Sequence, residues 1–96
     1  MALDGPLDGV KLKRALLNVL ERGLLAYIGH AEIEMKKDAI NRDHIDHVLR
    51  AGLMKMPAEV VRGEWRYRIE TRAIAVIVSF QSELELEIIT AWRFKR

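Results

Sequence analysis

Residues 64–94, EWRYRIETRAIAVIVSFQSELELEIITAWRF, decide the fold of this chain. Glu64–Thr71 alternates polar and apolar side chains, a pattern that predicts a strand with one buried face. Ile74–Phe80 is apolar on both faces, which is typical of a central strand. Residues 81–83 then turn the chain into Leu84–Phe94, where leucines and glutamates alternate again. These runs, joined by short turns, predict an antiparallel meander.

A fourth strand is expected just before the first of these. Pro57 marks a loop, and Ala58–Val61 follows it as an edge strand. Arg62-Gly63 is then a two-residue turn. The meander therefore spans residues 58–94 and forms a small antiparallel sheet of three to four strands.

Residues 1–23 carry the signals of an N-terminal helix. Its start is expected at Pro6 or Asp8 and its end at Arg22, with Gly23 in the left-handed conformation just beyond. The apolar stripe of this helix covers nearly half of its circumference, wide enough to touch two surfaces. One surface would be the sheet, and the other a second copy, which gives a homodimer through Leu12–Leu20.

Residues 24–52 are predicted as a mostly helical part. The apolar run Leu24–Ile28 is read either as a strand or as a continuation of the helix. His30–Asp38 is expected to be a short helix, and Asn41 should cap a further helix, Arg42–Ala51, that ends at Gly52. Helices followed by strands predict one α+β domain over residues 1–96, with the helices packed on the sheet in two layers.

Composition restricts the classes of function. The chain has 96 residues, half of them apolar and under a third charged, as in globular domains. It has no cysteine, which excludes disulfides, thiolate catalysis and cysteine-bound zinc. No signal peptide is evident and no apolar run is long enough to span a bilayer, so we expect a soluble, cytoplasmic protein without a membrane partner. The net charge of +2 does not by itself indicate a nucleic-acid partner.

One histidine lies in a helical context that suits acid–base chemistry. In the helix expected from residue 30, His30, Glu34 and Lys37 share one sector at i, i+4 and i+7. Imidazole, carboxylate and ammonium could serve as base, orienting partner and phosphate clamp. On spacing alone the favoured interpretation is simpler: Glu34 and Lys37 form a solvated face, with His30 as a helix cap.

The strands supply the cationic and hydroxyl groups. Arg66 and Arg68 share one sheet face about 7 Å apart, a spacing suited to a phosphate. The alternative is structural pairing with Glu85 or Glu87 across the sheet. Thr90 could bind a phosphate through its hydroxyl.

The last strand adds an aromatic side chain. Trp92 could stack on a base, although tryptophan also commonly packs in cores. Simple alternation puts Thr90 on the core face, away from Arg68, so one site that uses both residues requires a β-bulge or a strong twist.

A metal site is not expected. His44 and His47 lie at i, i+3, whereas helical zinc pairs usually have i, i+4 spacing, and no further ligand cluster is apparent. No cofactor is expected either, since the chain has no glycine-rich phosphate loop.

Several short runs together resemble a known family. They are H-A-E-x-E-M-x-x-D-x-I from residue 30, I-x-x-V-L-x-x-G from 45, G-x-W-R-Y-R-I from 63, V-x-F from 78 and I-I-T-A-W-R from 88. In this order they are similar to small bacterial domains resembling toxins of the barnase–EndoU–colicin–RelE ribonuclease group. The resemblance covers residues 28–93 and implies a RelE-like two-layer fold.

The resemblance also implies a function, metal-independent RNA cleavage by a toxin that a cognate antitoxin protein neutralises. His30 would be the general acid or base, Arg68 would stabilise the phosphorane, and Thr90 would position the substrate. The residues expected to bind RNA are Arg66, Lys37, Trp92 and Arg93. The alternative is a non-catalytic, homodimeric module that binds RNA or a protein.

Overall fold

Helices and strands of the chain follow in the order expected of an α+β domain. The computed structural model describes residues 5–95. The elements in chain order are α1 Gly9–Arg22, β1 Leu24–Tyr27, α2 Gly29–Lys37, α3 Arg42–Ala51, β2 Glu59–Val61, β3 Glu64–Glu70, β4 Ile74–Ser82 and β5 Glu85–Arg93. The α+β class and a layer of helices on a sheet are confirmed. None of the helices in residues 5–95 has the length and apolar character required to cross a bilayer.

Side-chain caps fix where two of the helices begin. Asp8 caps α1 by accepting a hydrogen bond from the backbone N–H of Lys11 at 2.9 Å. Asn41 caps α3, and His44 completes a reciprocal capping box through its Nδ1 atom. Both starts, and the end of α3 at Gly52, agree with the sequence prediction.

Gly23 departs from its predicted conformation. Its φ of −112° and ψ of −156° are extended, not left-handed, because the chain passes from α1 directly into β1. Glycine is required here for close approach, since a Cβ atom would fall on the carbonyl oxygen of Leu84. That carbonyl accepts the N–H of Leu24 at 2.8 Å, the first bond between the two segments.

The sheet is larger than predicted. Its five strands lie in the order β1-β5-β4-β3-β2. Strands β2 to β5 form the expected antiparallel meander, but β1 adds to β5 in parallel, with Leu24 opposite Glu85 and Tyr27 opposite Ile88. The prediction of three to four antiparallel strands is therefore wrong, and of the two alternatives left open for Leu24–Ile28 the structure shows the strand. The RelE-like topology stays a prediction.

The predicted two-residue turn forms a hairpin between β2 and β3. Arg62 and Gly63 have φ values of 53° and 81°, as a type I′ turn requires at both central positions. The turn sets the register Val61 opposite Glu64.

All three helices cover the same face of the sheet. A single apolar cluster combines the inward side chains of the helices with those of the sheet; among its members are Leu12, Leu16, Val19, Met35, Ile45, Leu49, Ile69, Val76 and Ile88. Part of the wide stripe of α1 is used here, because Leu12, Leu16 and Val19 are at most 2% exposed. Leu17 and Leu20 are only half-buried, so the homodimer through Leu12–Leu20 stays a prediction.

Lys13 ties α1 to the end of α3. Its Nζ donates to the carbonyl oxygens of Leu49, Arg50 and Gly52 at 3.3, 2.6 and 3.0 Å. These carbonyls belong to the last turn of α3, where the helix dipole favours a cation. Burial lowers the pKa of Lys13 below its usual value.

Candidate functional site

The sheet face opposite the helices gathers most of the residues singled out by sequence. We call it the open face. It follows from alternation: Tyr67 and Ile69 pack toward the helices, so Arg66 and Arg68 point the other way. The open face comprises the outward positions of the strands, namely Glu59, Glu64, Arg66, Arg68, Glu70, Ala75, Ile77, Ser79, Glu85, Glu87, Thr90 and Trp92.

A β-bulge in β5 brings Thr90 and Trp92 onto the open face. Val78 lies opposite Ile88, whereas Ile77 lies opposite Thr90, so Ile89 is an extra residue in the strand. Beyond this step the two faces of β5 are exchanged. Arg68, Ile77 and Thr90 consequently occupy neighbouring positions on three adjacent strands. The bulge that a common site requires is therefore present.

Arg68 lies at the centre of an aromatic and ionic cluster. Its guanidinium carbon is 5.1 Å from the ring centre of Trp92 and 5.7 Å from that of Phe94. Its Nε donates to Glu70 Oε2 at 2.7 Å, and both side chains are largely buried. Nε of this guanidinium is thus paired with Glu70, and two aromatic rings lie beside the group.

Arg66 lies beside a small cavity. Its Nη2 is 3.7 Å from Glu64 Oε1, and its Nε is buried without a hydrogen-bond partner among the described residues. The cavity, of about 140 Å³, is lined by Arg66, Arg68 and Ile77 together with Met56, Pro57 and Glu59. Arg66 therefore keeps part of its hydrogen-bonding capacity unused.

The arginines do not pair with Glu85 or Glu87, the alternative raised from the sequence. Strand β4 separates β3 from β5, so the side chain across from Arg68 is Ile77. Each arginine instead pairs with the glutamate two residues away on its own strand. Glu64 and Glu70 are therefore site residues that sequence reasoning missed, although the i, i+2 spacing on one strand was a usable signal.

Acidic side chains outnumber basic ones on the open face. It carries Glu59, Glu64, Glu70, Glu85 and Glu87 against Arg66 and Arg68, and Lys55 adds a third cation 3.9 Å from Glu70 Oε1. Within residues 5–95, Glu59, Glu85 and Glu87 form no ion pair. Excess negative charge disfavours a polyphosphate ligand and favours a partner with cationic groups.

His30 is not brought to the arginines. It lies in the first turn of α2, whose Ala31 and Met35 pack into the core on the helix-covered side of the sheet. Its Nε2 is 3.9 Å from Glu34 Oε1, and Lys37 Nζ is also 3.9 Å from that oxygen. The predicted trio is thus assembled, but on a solvated face with 62% of the His30 side chain exposed. Ile28, not His30, occupies the cap position.

Arg93 has structural contacts on the helix side. Its Nε donates to the carbonyl of Asp38 at 2.7 Å and its Nη2 to that of Ala39 at 3.1 Å. Its backbone N–H donates to Asp38 Oδ2 at 2.8 Å. These bonds attach the end of β5 to the end of α2, so the guanidinium predicted to bind substrate is engaged within the domain.

His44 and His47 do not gather further ligands. Within residues 5–95, no group of three or more His, Cys, Asp or Glu side chains is placed to hold a metal ion. The Nδ1 atom of His44 is used in the capping box of α3.

Comparison of this chain with protein-family models, with curated proteins and with solved structures finds no match. The resemblance to RelE-like ribonucleases therefore rests on the sequence runs alone.

Proposed function

We propose that this domain is a non-catalytic module that binds another protein through its open face. The observation that carries the proposal is the cluster of Arg68, Trp92 and Phe94 on the sheet surface opposite the three described helices. Tryptophan and arginine are the side chains most enriched at the energetic centres of protein interfaces. Their mutual packing holds both in one conformation, which reduces the entropy lost on binding.

The charges around this cluster indicate what kind of partner would bind there. Glu59, Glu85 and Glu87 lie toward the two sides of the face and have no ion pair with a described residue. A partner that brings lysine or arginine side chains to these positions would neutralise them, while its apolar centre would cover Trp92 and Ile77. Electrostatic complementarity of this kind raises the association rate and selects the partner.

Site-specific photo-crosslinking in cells tests the proposal. A photoreactive residue replaces Thr90 on the open face, and in a matched variant it replaces Ile33, which is exposed on α2. We expect a defined protein adduct from position 90 and none of the same mass from position 33. The purified partner should then bind the wild type at least tenfold more tightly than the folded Trp92→Ala variant. Unchanged affinity for Trp92→Ala, or adducts to RNA alone, would reject the proposal.

The ribonuclease hypothesis stays a prediction, and one observation favours keeping it. The bulge makes Arg68 and Thr90 neighbours across Ile77, and Arg66 faces a cavity beside them. If the domain is such a ribonuclease, the purified protein cleaves RNA without added metal, and His30→Ala abolishes the cleavage. The binding-module proposal predicts a different result, because His30 lies on the helix side: RNA stays equally intact with the wild type and with His30→Ala. Cleavage that depends on His30 would favour the toxin and its antitoxin partner.

A further inference from the structure

The two edges of the sheet differ in how they are protected against pairing with another strand. At one edge, β2 has only three residues, follows Pro57 and carries Glu59. Short length, proline and charge are the usual devices that block an edge. At the other edge, β1 reads Leu-Leu-Ala-Tyr, and residues 23–29 contain no charged side chain and no proline. The edge formed by β1, with four residues, is nearly as short, but it lacks the proline and the charge.

The backbone of β1 has polar groups that point away from the sheet. The N–H of Leu24 donates to Leu84, so Leu24 is directed toward β5. In a parallel pair the N–H and C=O of one residue point to the same side, and successive residues alternate. Leu25 and Tyr27 therefore direct their N–H and C=O groups outward, where no further strand of residues 5–95 lies beside β1.

A second copy of this chain fits that edge by symmetry. A two-fold axis perpendicular to the sheet at Ala26 runs the two β1 strands antiparallel and places Leu25 opposite Tyr27 of the other copy. Residues opposite one another then lie on the same face of the sheet, as pairing requires. Both outward residues of each strand form hydrogen-bonded pairs, which gives four inter-chain bonds.

Charge and exposure also favour a second copy. The residues of β1 are themselves uncharged, so its antiparallel approach to itself brings no like charges of the two strands together; the nearest cation is Arg42, stacked on the Tyr27 ring at 4.4 Å. Leu24 is 62% exposed in the monomer and would be covered by the neighbouring copy. We propose that the chain forms a two-fold dimer in which β1 pairs with β1 of a second copy, making one continuous ten-stranded sheet.

This surface differs from the α1 stripe and from the open face, so the proposal is independent of both. The open face would continue across the dimer on one side of the sheet. Trp92→Ala should accordingly leave dimerisation unchanged, which separates a failure of this proposal from a failure of the proposed function.

Sedimentation velocity across protein concentrations of about 1 μM to about 1 mM tests the dimer with the full chain. Leu25→Pro removes an N–H that points away from β5 and leaves every hydrogen bond between β1 and β5 in place. It should raise the dissociation constant of the dimer at least tenfold. Val60→Pro is the matched control, because Val60 lies between the two hydrogen-bonded pairs of the opposite edge and also points its N–H outward. Val60→Pro should leave the dissociation constant within twofold of wild type.

Amide hydrogen exchange of the wild type gives a readout that needs no variant to fold. The amides of Leu24 and Ala26 should be protected at every concentration, whereas those of Leu25 and Tyr27 should become protected only as the dimer forms. A chain that is monomeric at about 1 mM overturns the proposal and leaves this edge to a strand of another protein. A dimer in which Leu25 and Tyr27 exchange as fast as in the monomer overturns it too.

Discussion

Arg93 allows a sharp test of whether a residue predicted to bind substrate is structural. Replacing Arg93 with Met keeps an apolar stem and removes the bonds from Nε to Asp38 and from Nη2 to Ala39. The half-buried bond from Arg93 Nε is a hydrogen bond to a charged group, which contributes about 1.5–3 kcal/mol to stability. The bond from Nη2 is exposed to solvent and contributes little. Loss of a cation at the end of α2 adds about 0.5 kcal/mol, and the methionine stem recovers part of the packing. The net expectation is a loss of about 2 kcal/mol.

A loss of this size corresponds to a Tm lower by about 8–16 °C for a domain of this length. Urea unfolding followed by circular dichroism measures the free energy directly, provided that the slope is unchanged. Lys95→Met is the control, because Lys95 is exposed and its removal should change stability by less than about 0.5 kcal/mol. The stability of Arg93→Lys should lie between those of the wild type and Arg93→Met, since an ammonium group can reach only one of the two carbonyls. If Arg93→Met is as stable as Lys95→Met, the guanidinium does not hold α2 and β5 together.

Three further substitutions test other parts of the fold. Asn41→Ala removes the side-chain acceptor for the N–H of His44 and should cost about 1 kcal/mol in urea unfolding; equal stability would show that the capping box contributes nothing. Gly63→Ala puts a Cβ at a φ of 81° and should lower stability by about 1 kcal/mol, whereas an unchanged thermal midpoint would contradict the I′ turn. Lys13→Met leaves three carbonyls of the last turn of α3 without their cation, and we expect a loss of about 1–2 kcal/mol together with faster amide exchange in that turn. Exchange that stays at the wild-type rate would place the capping of α3 elsewhere.

Local sequence signals were sufficient where short-range chemistry decides the structure. Asn41 and Gly52 bound a helix because a cap and a break lie at the right separation. Arg62-Gly63 defines a hairpin because only glycine and a few other residues tolerate the backbone of that turn. The alternation in β3 correctly placed Arg66 and Arg68 on one face.

Features that depend on distant parts of the chain were not predictable in the same way. The run Leu24–Tyr27 is too short to show a period, and it becomes a strand because β5 offers a parallel partner about sixty residues later. The extra residue Ile89 has no glycine or proline to mark it, so alternation alone put Thr90 on the wrong face. The contacts of Arg93 with the end of α2 cannot be read from the sequence, because the two segments are close only in the folded chain.

The register step at Ile89 decides which face of β5 the residues beyond it occupy. A strand of the same length without the bulge would turn Thr90 and Trp92 inward beneath the helices and put Ala91 outside. A large indole would then compete for space now filled by a methyl group, and Arg68 would lose its stacking partner. Deleting Ile89, by contrast, would remove the bulge and leave Thr90 and Trp92 on the open face. Relatives that keep the aromatic surface should therefore have either the bulge or a strand one residue shorter, so strand length alone does not mark the proteins that share a ligand.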